Sequence, residues 1–295
     1  MIRLGMASLL GLAALFGAMS MTFADGPIVL RDAAQHELRF ERPPQRVVTL
    51  LPSLTETVCA LGECARLVAT DRYSNWPASV RRLPKAGGLD DAQIEFIVSL
   101  KPDVVILAHA GLVTERLRDL GMTAFDVETW TYDDIGRTVT TIGALLGVPE
   151  RAATLNRDIE RSVHAVLAEA VAQLHGRSPL VYYEVDSGPY AAGPQSFIGE
   201  LLTRLGARNI LTPEFGPFPK LNPEYVVRHN PDVIIVSPQD APNLDHRPGW
   251  EDIRAVKEKR LCSFEPEVRD TIVRPGPRVA EGLRAMADCL GRVAP

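Results

Sequence analysis

Aromatic residues are scarce in this chain: Phe, Tyr and Trp together make up 6% of its 295 residues. Cysteine is rarer still, with four in all. Neither sign of charge dominates, since 32 Lys and Arg stand against 37 Asp and Glu, a formal net charge of −5. Each shortage excludes something. Cys59, Cys64, Cys262 and Cys289 match no CxxC metal spacing and are too few for a disulfide scaffold. They allow three complete pairings, so at most one or two staples, and the sequence does not choose among them. A mildly acidic balance is the wrong sign for a nucleic-acid partner. A mean hydropathy of zero and a charged fraction of 23% fit neither a polytopic membrane protein nor wholesale disorder. Signatures of catalysis and nucleotide binding are missing too. There is no GxxxxGK[ST] phosphate loop, no GxGxxG after a strand, no HExxH and no GxSxG elbow.

The one long apolar run opens the chain. Arg3 precedes it, Leu4 to Phe16 is almost wholly apolar, and Thr22-Phe23-Ala24 sets small residues at a cleavage site. Residues 1–24 therefore read as a secretory signal peptide cut after Ala24, too short for a spanning anchor. No cysteine follows closely, so lipid-anchored cleavage has no support. Removing Arg3 leaves 31 basic and 37 acidic residues, net −6, in 271 exported residues.

Two segments of the exported part echo each other. FIVSLKPDVVIL (Phe96 to Leu107) and YVVRHNPDVIIV (Tyr225 to Val236) lie 225 − 96 = 129 residues apart. Each is a short helical stretch, a Pro-Asp corner and an unbroken β-branched run. Such a run suits a parallel strand covered on both faces. The repeat unit is then a whole lobe. In the first, strands fall at Val47–Leu51, Leu67–Thr70, Val104–Ala108 and Ala124–Val127. Helices fall at Ser53 onward (a Ser53/Glu56 capping box), Asp91–Leu100, Val113–Leu120 and Asp133–Leu146, with Arg72 to Gly88 irregular. The second offers strands Leu180–Val185, Val233–Ser237 and Leu261–Phe264, and helices Ser196–Leu205, Pro223–Arg228, Trp250–Lys259 and Arg278–Leu290. Alternation of this kind gives α/β architecture: two open, mainly parallel lobes, 25–148 and 177–295. Between them, 149–176 has proline near its start, glycine at its end and no internal breaker. Ala153, Ile159, Val163, Val166, Ala170 and Leu174 recur at helical spacing. One rigid helix roughly 40 Å long would bridge the lobes. Its His164 and His175 read as solvated surface residues, and Asp90-Asp91 as acids at a helix N-terminus.

Open α/β sheets bind ligands beyond the carboxyl ends of their strands. The loops there are Asp71-Arg72-Tyr73-Ser74-Asn75-Trp76-Pro77, His109-Ala110-Gly111, Asp186-Ser187-Gly188-Pro189-Tyr190, Phe215-Gly216-Pro217-Phe218-Pro219, and Glu267 through Pro277. Aromatic faces and a few polar groups spread over many loops describe a cleft for one bulky ligand.

These features together resemble a known family, the periplasmic substrate-binding proteins of ABC importers for vitamin B12, ferric siderophores and haem. RVVTLLPSLTETVCALG (Arg46 to Gly62), DRYSNWP, the KPDVVIL and NPDVIIV strands, the long central helix and RPGPR carry the likeness over nearly all the exported chain. The resemblance implies two α/β lobes bridged by one rigid helix, with the ligand between them. It also implies a non-catalytic, monomeric carrier in the periplasm without a cofactor of its own. Its partners would be a small molecule and an inner-membrane permease. Carried over residue by residue, ligand contact falls to Tyr73, Trp76, Tyr190, Phe218 and Asp270-Thr271-Ile272-Val273-Arg274. Permease docking falls to Glu115 and Glu224. A corrinoid is the first ligand expected. Haem would call on Tyr73 or His109 as axial ligand, and a ferric siderophore on Arg72, Arg269 and Arg274. Two departures stand out. The family's tryptophan after KPDVVIL is replaced by Ala108 or His109. Its disulfide from a second-lobe helix to the last helix keeps only Cys289, with Leu205 at the partner position, so that bond is expected to be absent. A secreted α/β hydrolase is the rival from another class, disfavoured because no nucleophile sits in an activating motif.

Overall fold

A computed structural model describes residues 26–108 and 111–295, so the signal segment and His109 lie outside the described residues. The chain begins with a hairpin absent from the sequence reading, β1 (Ile28–Arg31) against β2 (Glu37–Phe40). The first lobe then runs β3 (Val47–Thr49), α1 (Pro52–Ala60), β4 (Leu67–Thr70), α2 (Ile94–Ser99), β5 (Val104–Leu107), α3 (Gly111–Asp119), β6 (Ala124–Asp126) and α4 (Tyr132–Leu145). After α5 (Pro149–Leu174) comes the second. It runs β7 (Leu180–Asp186), β8 (Tyr190–Ala191), α6 (Phe197–Arg204), β9 (Arg208–Asn209), α7 (Pro223–His229), β10 (Val233–Ile235), α8 (Arg254–Lys257), β11 (Leu261–Cys262), α9 (Pro266–Val273) and α10 (Val279–Val293).

The first sheet is parallel with order β4-β3-β5-β6. The second has parallel neighbours β9-β7-β10-β11, with β8 adding an antiparallel edge to β7. Counting parallel strands only, both follow one plan, in which the first strand of the lobe is flanked by the second and third. The echo is therefore a structural repeat. Its Pro-Asp corner has a shared job as well. Asp103 Oδ2 accepts from the backbone N–H groups of Gln45 (2.7 Å) and Arg46 (2.9 Å), pinning the start of β3. Asp232 Oδ2 accepts from Leu180 N–H at 2.9 Å and pins the start of β7.

Side-chain alternation divides the core. Val47, Val104 and Ile106 face a cluster shared with α1, α4, α5, α6 and α10, whereas Val48, Val105 and Leu107 face α2 and α3 on the outer side. Tyr182, Ile234 and Val236 face a separate outer cluster around Trp250. The shared cluster crosses both lobes through α5. That helix has 26 residues, about 39 Å at 1.5 Å each, and buries Ala152, Ile159, Val163, Val166, Ala170 and Leu174. Ala152 replaces the expected Ala153, which is exposed. Ala152 lies one heptad before Ile159, and its methyl fills the space that glycine leaves at position 143. His164 and His175 are exposed, as expected.

Other expectations need correction. Pro52 takes the first position of α1, so Leu51 is the N-cap and Ser53 lies inside the helix, buried, with no capping box. The capping box occurs at α4 instead, between Thr131 and Asp134. Trp250–Lys259 is two pieces, because Ile253 is extended and Asn230 Oδ1 accepts Arg254 N–H at 2.8 Å to start α8 afresh. Asp90 and Asp91 precede α2 by several residues; Asp91 closes its own loop by accepting Gly88 N–H at 2.8 Å. The stretch after β11 is the helix α9 rather than a loop.

All four cysteines are paired, Cys59 with Cys64 and Cys262 with Cys289. Leu205 is buried hydrophobic core, as its identity required. Cys289 of α10 instead reaches β11. No described helix is long and apolar enough to cross a membrane.

Candidate functional site

The loop after β4 folds around a buried carboxylate. Asp71 Oδ1 accepts the backbone N–H groups of Tyr73 (2.8 Å) and Ser74 (3.0 Å), and Oδ2 accepts the Ser74 hydroxyl. Ser74 Oγ also meets Thr55 Oγ1 at 2.7 Å, which meets Thr49 Oγ1 at 2.7 Å. Lys85 Nζ donates to Thr70 Oγ1 (2.8 Å) and to the Ser74 carbonyl (2.7 Å). Burial pushes the Asp71 carboxyl up and the Lys85 ammonium down from their ordinary values. With its polar groups turned inward, the loop throws its rings outward. Tyr73 is 62% exposed and Trp76 about half exposed. Arg278 from the other lobe lies 4.3 Å over the Trp76 ring.

In the second lobe, β7 turns tightly into β8 and leaves Tyr190 half exposed. The segment Phe215–Pro219 runs beside β8, with Ala191 N–H donating to the Pro219 carbonyl at 3.0 Å and Gly193 N–H to the Pro217 carbonyl at 2.8 Å. That pairing sets Phe218 alongside the β8 strand that carries Tyr190, while the Phe215 ring packs 5.1 Å from Tyr225; both Phe are partly exposed. Most exposed large apolar side chains among the described residues lie at or after the carboxyl ends of strands: Tyr73, Trp76, Leu112, Trp130, Val185, Tyr190, Phe215, Phe218 and Val273. Such a concentration at one edge marks a binding surface. Trp130 was missed by sequence reading. It is 53% exposed in the loop between β6 and α4, and its position just past a strand's carboxyl end was the available signal.

The Asp270–Arg274 segment behaves differently from expectation. On a helix successive residues turn by about 100°, so five in a row cannot all face one ligand. Ile272 is wholly buried, and buried Thr271 faces a groove between α5 and α10, donating to the Val268 carbonyl at 2.6 Å. Neither offers surface to the cleft. Arg274 is buried in a clasp between lobes: its guanidinium reaches Glu56 Oε1 (2.7 Å), Asn75 Oδ1 (2.9 Å), the Tyr73 carbonyl (3.2 Å) and Asp270 Oδ2 (2.7 Å). Asn75 Nδ2 also donates to Asp270 Oδ2 at 2.8 Å. Burial pushes the Glu56 carboxyl up despite the Arg274 charge beside it. Val273 alone of the five points to a recess of about 40 Å³, lined also by Tyr183, Glu184, Ser237, Phe264 and Arg269 at the ends of β7, β10 and β11. A larger cavity, about 670 Å³, sits away from these strand ends between α5, α9 and α10, and its Arg278 and Arg284 are paired with Glu281 and Glu169.

A second bridge joins the lobes near α4. Glu200 accepts Tyr132 N–H at 2.6 Å, and the Arg204 guanidinium stacks 3.9 Å from the Tyr132 ring. Glu115 on α3 and Glu224 in the first turn of α7 are exposed, one on each lobe. Among the described residues no group of three or more His, Cys, Asp and Glu is placed to hold a metal ion.

Comparison with known proteins agrees with this architecture. Residues 47–268 match the family model described as "Periplasmic binding protein". An uncharacterised ABC transporter substrate-binding lipoprotein of Bacillus subtilis, YvrC, is 27% identical over 274 residues, covering 90% of this chain and 85% of its own. A cobalamin-binding protein of Halobacterium salinarum is 31% identical over 284 residues, covering 89% and 73%. A crystal structure of a periplasmic haem-binding protein from Pseudomonas aeruginosa superposes with a TM-score of 0.76 at 25% identity, over 85% of this chain and 94% of that one.

Proposed function

Because this chain belongs to the periplasmic binding protein family, it is the substrate-binding component of an ABC transporter, and we propose that the ligand it captures and delivers is a corrinoid. The observation that carries this reading is the set of exposed rings on loops after the strands of both lobes, with Tyr73 and Trp76 on one and Tyr190 and Phe218 on the other. A corrin arrives with cobalt already held by its own macrocycle. It therefore asks for flat apolar walls and a few polar contacts rather than for a metal ligand. The Halobacterium relative named for cobalamin supports the same choice. Asp270 and Arg274 serve the site indirectly, by holding Asn75 and the Tyr73 carbonyl so that the Tyr73 ring stays presented. After export to the periplasm, Glu115 and Glu224 meet basic residues of the permease, one per lobe, and set the register of docking.

One observation favours a second ligand. The Tyr73 phenol is exposed at the cleft edge, where it could bind haem iron axially. Titrating the purified protein with cyanocobalamin, haemin and ferric siderophores separates the readings. Submicromolar cyanocobalamin binding by calorimetry, weakened about tenfold in Tyr73→Ala, is the expected result. A Soret band on haemin addition with no corrinoid binding would replace the corrinoid by haem.

A further inference from the structure

Four arginines on the segments that follow β4, β10 and β11 are committed. Arg72 pairs with Asp91, Arg247 is bidentate to Glu184 at 2.6 and 2.8 Å, Arg274 is held in the interlobe clasp, and Arg278 pairs with Glu281 at 2.8 Å. Arg269, exposed on α9, is the exception: its guanidinium has no hydrogen bond or ion pair to any described residue. It borders the recess of about 40 Å³ at the ends of β7, β10 and β11, beside Tyr183 and Ser237. That volume admits a few water-sized bodies, the scale of one small charged group rather than of a whole ligand. Tyr183 is buried, its phenol pushed well above its ordinary value, so it stays a neutral donor facing the same space.

We infer that Arg269 is a specificity-determining residue, receiving one anionic oxygen-bearing group of the ligand in this recess, with Tyr183 as the second donor. The inference rests on the reading that the ligand is a large macrocycle. Two such ligands carry the required chemistry: the phosphodiester of the cobalamin nucleotide loop and a haem propionate. A planar guanidinium suits either oxygen pair, and the neighbouring lone carboxylate, Glu184, is already neutralised by Arg247 and does not repel it.

The test uses two matched pairs of probes, each with and without the anion. These are cyanocobalamin against dicyanocobinamide, which lacks the nucleotide loop, and haemin against its dimethyl ester. Affinities are measured for wild type, Arg269→Gln and Arg269→Lys. Arg269→Gln should weaken the anion-bearing member of the bound pair by about tenfold to a hundredfold, leave its partner within about twofold, and be partly rescued by Arg269→Lys. Selectivity in the corrinoid pair upholds both the residue's role and the corrinoid reading. Selectivity in the haem pair alone upholds Arg269 and overturns the corrinoid. Equal effects on both members of a pair, or none on either, overturn the role of Arg269. A wild type that holds none of the four probes overturns both.

Discussion

Arg274 shows how one side chain can serve a site without touching it. It sits almost fully enclosed, spanning from α9 to α1 and to the loop that carries Tyr73 and Trp76. Glu56 is its only fully buried carboxylate partner, and the second Glu56 oxygen has no hydrogen bond. Removing Glu56 leaves the enclosed Arg274 with only the partly buried Asp270 as counter-charge, so Glu56→Ala should lower unfolding free energy by about 3 kcal/mol in urea titrations. A Glu56→Leu, Arg274→Met double variant should recover most of that loss. If it were as unstable as the single variant, the clasp would be more than a charge pair. The same residue marks a limit of sequence reading. The spacing of Glu56 and Ser53 fits a capping box, and only the position of Pro52 one residue earlier, at the first turn of α1, frees Glu56 for a partner 218 residues away.

Elements were far more legible than contacts. The strands of both sheets, the strut and the paired helix–Pro-Asp–strand units declare themselves through periodicity and breakers, because burial on both faces demands unbroken β-branched runs. What stayed hidden is short or set by distant partners. β8 and β9 have two residues each, and α9 reads as loop because its polar residues face solvent and the clasp rather than a continuous apolar stripe. The exposed rings of Tyr73, Trp76, Tyr190 and Phe218 stand at strand ends as the sequence implied, whereas Thr271 and Ile272 do not reach that surface. Cysteine pairing was open in the sequence, since it depends on β11 lying beside α10. The two staples should not be equal. Cys262–Cys289 closes a loop of 27 residues and Cys59–Cys64 one of 5, so the chain-entropy relation assigns about 3.5 and about 2 kcal/mol. Cys262→Ser with Cys289→Ser should therefore lower Tm more than Cys59→Ser with Cys64→Ser, measured by calorimetry. The reverse order would locate the stabilisation outside loop closure.

For the whole molecule, one strut, a shared core and two interlobe bridges argue for lobes that move little relative to each other. Delivery then depends on a surface recognised in one fixed geometry. Glu115→Ala with Glu224→Ala should abolish transport in reconstituted vesicles and leave ligand affinity within about twofold; lost affinity would place one of these carboxylates at the cleft instead. The single passage of the chain from one lobe to the other through α5 has a further consequence, for the order of assembly. Every strand of the first sheet is contiguous in sequence, from Val47 to Asp126, so that sheet can be complete before the second lobe has been synthesised. The side of α5 that α10 covers must wait, because α10 is made after all the other described elements. The surface that unites the two halves is thus the last to close, and the bond between Cys262 and Cys289 is the latch available to hold it shut.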